Sequence, residues 1–167
     1  LKNKNCIMQD LEVEIRSPLA VVAHDAGATN LIIGWLDGRA GLNIRPCLSG
    51  PALKLWASKF GSIKSYSLED CLAGASMLIS GTSYDSITEH KARALAKNDK
   101  IFSVGVIDHW VNYKDRFLFN GDLVYPDEIW VSDDRALNIA NNFFSDVIVR
   151  QKPNTYLHIC RLSKDSK

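Results

Sequence analysis

The stretch Leu19-Ala20-Val21-Val22-Ala23-His24-Asp25-Ala26-Gly27 decides how the rest of the chain is read. Five apolar residues in succession, too few for a helix, read as a strand buried on both faces. His24-Asp25-Ala26-Gly27 interrupts the run, and an apolar helix follows from about Ala28 to Leu36. Such a strand–turn–helix opens a doubly wound α/β domain, in which ligands sit beyond the carboxyl ends of the strands. The turn carries an imidazole, a carboxylate and a glycine, so the question for the remaining strands is whether they bring more chemistry to the same rim.

Working outward, the pattern repeats. Asn43–Leu48 reads as a second strand, weakened by Pro46. Pro51 suits the first position of a helix that presents Leu53, Trp56, Ala57 and Phe60 on one face. Ile63–Tyr66 reads as a short strand, and Ser67 with Asp70 has capping-box spacing for a brief helix. Ser76–Ser80 is a further strand; Ser86 and Glu89 have the same capping-box spacing ahead of a helix reaching about Lys97. Ile101–Ile107 is the clearest buried strand. A long connection, residues 108–126, precedes a strand at Glu128–Ser132, a helix capped by Asp133 and a short strand at Val147–Val149. Long ordered connections of this kind are often functional.

Strands alternating with helices argue for a Rossmann-like three-layer α/β/α domain with a mostly parallel sheet of about six to seven strands. Residues 19–157 form that domain. Residues 1–18 read as an N-terminal arm or edge strand, because Leu11-Glu12-Val13-Glu14-Ile15-Arg16 alternates apolar and polar. Residues 158–167 read as a tail or the start of a linker.

Bulk properties narrow the function. The chain of 167 residues is 46% hydrophobic and 23% charged with a net charge of +1, ordinary for a globular protein and without the basic excess that draws nucleic acid. No apolar run approaches the roughly 20 residues of a membrane span, and the N-terminus lacks the apolar core of a signal peptide, so a cytoplasmic location is the expectation. The four cysteines, at 6, 47, 71 and 160, match neither zinc nor CxxC spacing, and no metal cluster is expected. Cys47 and Cys71 read as small buried hydrophobes.

Polar groups recur at four strand ends. His24 and Asp25 follow the first strand, and either suits a general base or a sugar-hydroxyl contact, while Asp25 equally suits a helix N-cap. Gly27 admits a ligand or backbone closely, but GxGxxG is missing, so no dinucleotide cofactor is expected. Gly81-Thr82-Ser83 lies ahead of a helix, where hydroxyls and N–H groups suit a phosphate or carboxylate; the Lys-Ser/Thr of a P-loop is missing. Asp108-His109 reads as a charge couple or as a loop anchor. Trp110 and Tyr113 either stack on a sugar ring or anchor the long loop. Lys114 and Arg116 read as solvated surface, Asp133 as a cap and Asp134 as charge matching the helix dipole. There is no GxSxG nucleophile elbow.

Four stretches carry a resemblance: Ala23-His24-Asp25-Ala26-Gly27-Ala28-Thr29-Asn30-Leu31, Ser80-Gly81-Thr82-Ser83, Val106-Ile107-Asp108-His109-Trp110-Val111-Asn112-Tyr113 and Pro126-Asp127-Glu128-Ile129-Trp130-Val131. Together they resemble the N-terminal domain of GT-B-type glycosyltransferase-like proteins of bacterial surface-polysaccharide biosynthesis, related in fold to the sugar-nucleotide 2-epimerases. The resemblance implies two Rossmann-like domains with the active site between them. The second domain holds the sugar-nucleotide donor, and the first supplies glycan-acceptor contacts and the base. His24, Asp25, Asp108 and His109 would then be catalytic. Gly27, Gly81, Thr82, Ser83, Trp110 and Tyr113 would contact substrate. Pro153-Asn154-Thr155-Tyr156-Leu157 resembles the crossing into the second domain, and ten residues follow it, so the resemblance implies a second domain or partner chain. The alternative is a non-catalytic domain that binds a sugar, nucleotide or anion, or pairs with another protein.

Overall fold

In the computed structural model, residues 14–62 and 64–156 are described. Their core is a six-stranded sheet in which every pairing is parallel. In chain order the elements are β1 (Leu19–Ala23), α1 (Ala26–Leu36), β2 (Ile44–Leu48), α2 (Pro51–Phe60), α3 (Leu68–Leu72), β3 (Met77–Ser80), α4 (Ile87–Asn98) and β4 (Phe102–Ile107). A 3-10 turn at Asp115–Phe117 and a two-stranded hairpin, β5 (Leu118–Phe119) and β6 (Asp122–Leu123), occupy the long connection. Then come β7 (Glu128–Val131), α5 (Asp134–Phe143) and β8 (Ile148–Gln151).

The period of two along each strand sorts side chains to the two faces. From β1, Leu19, Val21 and Ala23 pack with α1 and α2, against residues such as Ile32, Trp35 and Trp56. Ala20 and Val22 point the other way, onto Cys71 and Leu72 of α3 and Ala92 and Ala96 of α4. On that same side, farther along the sheet, Ile107, Ile129 and Val131 meet Ala136 and Ala140 of α5, with Tyr113, Phe117 and Phe144. Helices on both faces make the three-layer Rossmann-like arrangement expected from the alternation. All five residues of β1 are buried, which is why that strand reads as an unbroken apolar run.

One expectation is corrected. Of the expected strand Ile63–Tyr66, Ile63 lies outside the described residues and Lys64–Tyr66 is not a strand. The segment runs beside β2 through one backbone bond, Tyr66 N–H to the Pro46 carbonyl at 2.8 Å. The Leu48 N–H donates instead to Ser65 Oγ at 2.9 Å, so a side chain takes the place of the next ladder bond. At the N-terminus, where an arm or edge strand is expected, Glu14–Arg16 is irregular and Leu11–Val13 lies outside the described residues. Among the described residues no helix is long and apolar enough to cross a membrane.

The strand order is β2-β1-β3-β4-β7-β8. From β1 the chain steps one way to β2 and then returns to build outward on the other side through β3. The direction of winding therefore reverses between β1 and β3, the place where open α/β sheets bind ligands.

Candidate active site

Three loops meet at this reversal. Asp25, following β1, is the N-cap of α1: its Oδ1 accepts from Ala28 N–H at 3.1 Å. Its carboxylate also lines an open hollow of about 320 Å³, together with Ser83, Tyr84 and Asp85 after β3 and Asp108, His109 and Arg116 after β4. Burial, and next the nearby charge of Asp108, raise the Asp25 pKa; the Ala28 N–H, Arg116 and His24 act against that.

Asp108 holds the centre. Arg116 Nη1 donates to its Oδ1 at 3.1 Å, and the two side chains are only 18% and 10% exposed. Arg116 is itself fixed: Nη1 also reaches Thr82 Oγ1 at 3.2 Å, and Nε donates to the Val111 carbonyl at 3.1 Å. The other carboxylate oxygen of Asp108 lies over α1, where a Cβ on Gly27 would come within 1.7 Å of it. Gly27 does permit a close approach, and the group that approaches is the chain's own carboxylate.

Gly81 follows the same rule. A Cβ there would lie 2.2 Å from Glu89 Oε1. The Glu89 carboxylate, fully buried, accepts from His24 N–H at 2.9 Å and Ser83 N–H at 2.7 Å. One side chain from α4 thereby joins the loops leaving β1 and β3. Burial, foremost, pushes its pKa up to about 8; the two backbone donors and Arg93 oppose the shift. Arg93, one turn along α4 and also buried, donates through Nη1 to the Gly81 carbonyl at 2.8 Å and Ser80 Oγ at 3.2 Å. Its Nη2 reaches the Arg116 carbonyl at 3.3 Å.

The residues singled out from sequence are thus partly brought together. Asp25, Ser83, Asp108 and His109 line one hollow. His24 turns aside: its Nδ1 lies 2.9 Å from Ser49 Oγ, and its ring packs where a Cβ on Gly50 would fall. Neighbours on extended backbone diverge, and Asp25 has taken the direction of the rim. Asp108 pairs with Arg116 and not with His109, whose exposed ring accepts the Trp110 N–H through Nδ1 at 3.0 Å. Two of the groups expected at a Thr82–Ser83 anion seat are engaged within the chain. The buried Thr82 hydroxyl donates to the Val106 carbonyl at 2.8 Å, and the Ser83 N–H is held by Glu89. Tyr113 is a loop anchor: 2% exposed, it donates to the Ala136 carbonyl at 3.3 Å and stacks on Phe143. Trp110 is 44% exposed, with its Nε1 donating to Asp133 at 3.1 Å and the Arg135 guanidinium over its ring.

Arg116, Glu89 and Arg93 were not legible as site residues. Arg116 read as surface, as Lys114 is. Glu89 read as half of a capping box, and Ser86 does accept its N–H. Its carboxylate, however, leaves the helix end for the rim.

A larger hollow, about 680 Å³, opens at the opposite, amino end of the sheet, beside Lys97, Lys100 and Asp127. Asp127 is there committed to Ser103 N–H and Oγ at 2.7 and 2.9 Å. The carboxyl-end hollow, where ionisable groups converge on the winding reversal, is the candidate site. Among the described residues no group of three or more His, Cys, Asp or Glu could hold a metal ion. No family model, no curated protein and no solved structure matches the chain.

Proposed function

We propose that this chain serves glycosyl transfer or sugar-nucleotide chemistry in bacterial surface-polysaccharide biosynthesis, as the acceptor-side domain of a glycosyltransferase-like protein of GT-B type. The carrying observation is that Asp25 and Asp108 face one hollow at the winding reversal, with Arg116 holding Asp108. In this reading a sugar hydroxyl enters between the carboxylates. Asp25, whose raised pKa makes it a stronger base than an ordinary aspartate, accepts the hydroxyl proton. Asp108 accepts a hydrogen bond from a neighbouring hydroxyl and fixes the ring. The nucleotide part of a donor would be held by a second domain or a partner chain, as the resemblance implies.

The alternative is binding without turnover, favoured by the fact that both carboxylates already have donors within the chain, Ala28 N–H and Arg116. One experiment addresses both readings. Thermal shift and calorimetry with free sugars and nucleotide sugars should show at least one ligand raising Tm, because a ligand of the folded state alone must stabilise it. Asp108→Asn should weaken that ligand at least tenfold. Asp25→Asn should leave binding within threefold and remove turnover in the completed enzyme. No shift from any sugar, or unchanged affinity in Asp108→Asn, would refute the assignment of the hollow. Binding with no transfer in the completed enzyme favours the alternative.

A further inference from the structure

We propose that Glu89 is the positioning residue of this site: a buried carboxylate clamp that sets the spacing of the β1 and β3 loops and thereby the mouth of the hollow. The proposal rests on the reading of the rim as a binding site, but its geometry stands apart from any ligand.

The clamp has three parts. Glu89 Oε1 takes the N–H of His24, the residue before Asp25, and Oε2 takes the N–H of Ser83, itself on the wall of the hollow. These donors lie 65 and 6 residues away along the chain, on the loops that leave the two strands flanking the winding reversal. Gly81 is the second part, since any side chain at that position would drive Oε1 off its seat. Arg93 is the third. It ties the β3 exit through Ser80 and Gly81 and continues to the Arg116 carbonyl, so the same helix braces the residue that holds Asp108. A helix face that only needed burial would carry an aliphatic side chain here. An ionisable group with both oxygens directed at loop N–H groups is costly to bury unless it is bonded.

Ionisation of Glu89 strengthens both bonds, because a charged acceptor binds N–H groups about twice as strongly as a neutral one. The charged groups facing it are Asp25 from the β1–α1 turn, which disfavours ionisation, and Arg93 from its own helix, which favours it. The clamp therefore tightens as pH rises, and the mouth of the hollow responds to pH.

The test is amide NMR on the full chain. Between pH 5 and 9 the His24 and Ser83 amide protons should move downfield together with one apparent pKa, well above the ordinary carboxylate range. In Glu89→Gln that transition should vanish, and at pH 9, where the wild-type carboxylate is ionised, hydrogen-exchange protection at these two amides should be at least tenfold lower than in wild type while Val21, Ile79 and Val104 keep theirs. Gly81→Ala retains the carboxylate but displaces it, and should produce the same local loss; it also serves if Glu89→Gln does not fold. Wild-type amides that stay flat, a transition that survives Glu89→Gln, or unchanged protection in Gly81→Ala would overturn the clamp. These readouts need no sugar, so their failure leaves the ligand assignment standing. A wild-type protein that binds no sugar yet shows the coupled transition keeps the clamp and removes its ligand.

Discussion

Replacing Gly27 by Ala sets two effects of opposite sign against each other. Gly27 lies in the first turn of α1, where alanine should stabilise the helix by up to about 1 kcal/mol. The new Cβ, however, would sit 1.7 Å from Asp108 Oδ2 and 2.6 Å from its Cγ. The helix is anchored by Leu31, Ile32 and Trp35 in the core, so the carboxylate is what gives way. It then leaves Arg116, a charged hydrogen bond with both partners mostly buried, worth roughly 2 kcal/mol. The expected net loss is about 1–2 kcal/mol in urea unfolding. In an Asp108→Ala background only a Cβ–Cβ approach of about 3.1 Å is left, and the two terms should nearly cancel. The double-mutant cycle should therefore show a coupling of roughly 1–2 kcal/mol. A Gly27→Ala protein as stable as wild type, or one equally destabilised without Asp108, would refute the claim that this glycine exists to admit that carboxylate.

Glu89 links stability to pH. Its pKa rises from an ordinary 4.5 to about 8 on folding, so across that window the native state holds a proton that the unfolded chain releases. Its contribution is fully present below the window and declines as pH rises through it, by at most about 1.4 kcal/mol per unit. Urea unfolding at pH 5, 6, 7 and 8 should show that slope, flattened in Glu89→Gln; an equal slope in the variant contradicts it. Asp133→Ala removes both the α5 N-cap on Ala136 N–H and the acceptor of Trp110 Nε1. It should cost about 1 kcal/mol and shift Trp110 emission to the red, and an unchanged spectrum argues against the contact. The Cys71 thiol is buried with its pKa pushed up to about 12, so in the native protein at pH 8 peptide mapping should find it unalkylated. Labelling as fast as in urea would show that the site opens.

Local chemistry was legible in the chain and long-range chemistry was not. Asp25, Ser67, Ser86 and Asp133 each accept an N–H three residues ahead, a relation set by neighbouring backbone, and sequence spacing reveals it. The fully buried β1 and the alternation of strands with helices dictated a parallel, three-layer domain in the same way. Gly27 could be read as a place of close approach, though not by what, and the approach of Glu89 to Gly81 could not be read at all. Asp108, Arg116 and Glu89 could not be paired from sequence. A charged side chain next to apolar ones reads as surface until the fold shows which water it has lost.

What the sequence determined alone is the alternation of the six sheet strands with their helices, the caps and the set of polar residues at the strand ends, because each depends on periodicity or on neighbours within one turn. Tertiary structure alone decided which of those groups meet. The winding reversal brings the β1 and β3 exits side by side, and packing against α4 and the long loop supplies Glu89 and Arg116 as partners. Hydrogen bonds and ion pairs act over a few ångströms of space, whatever the separation along the chain.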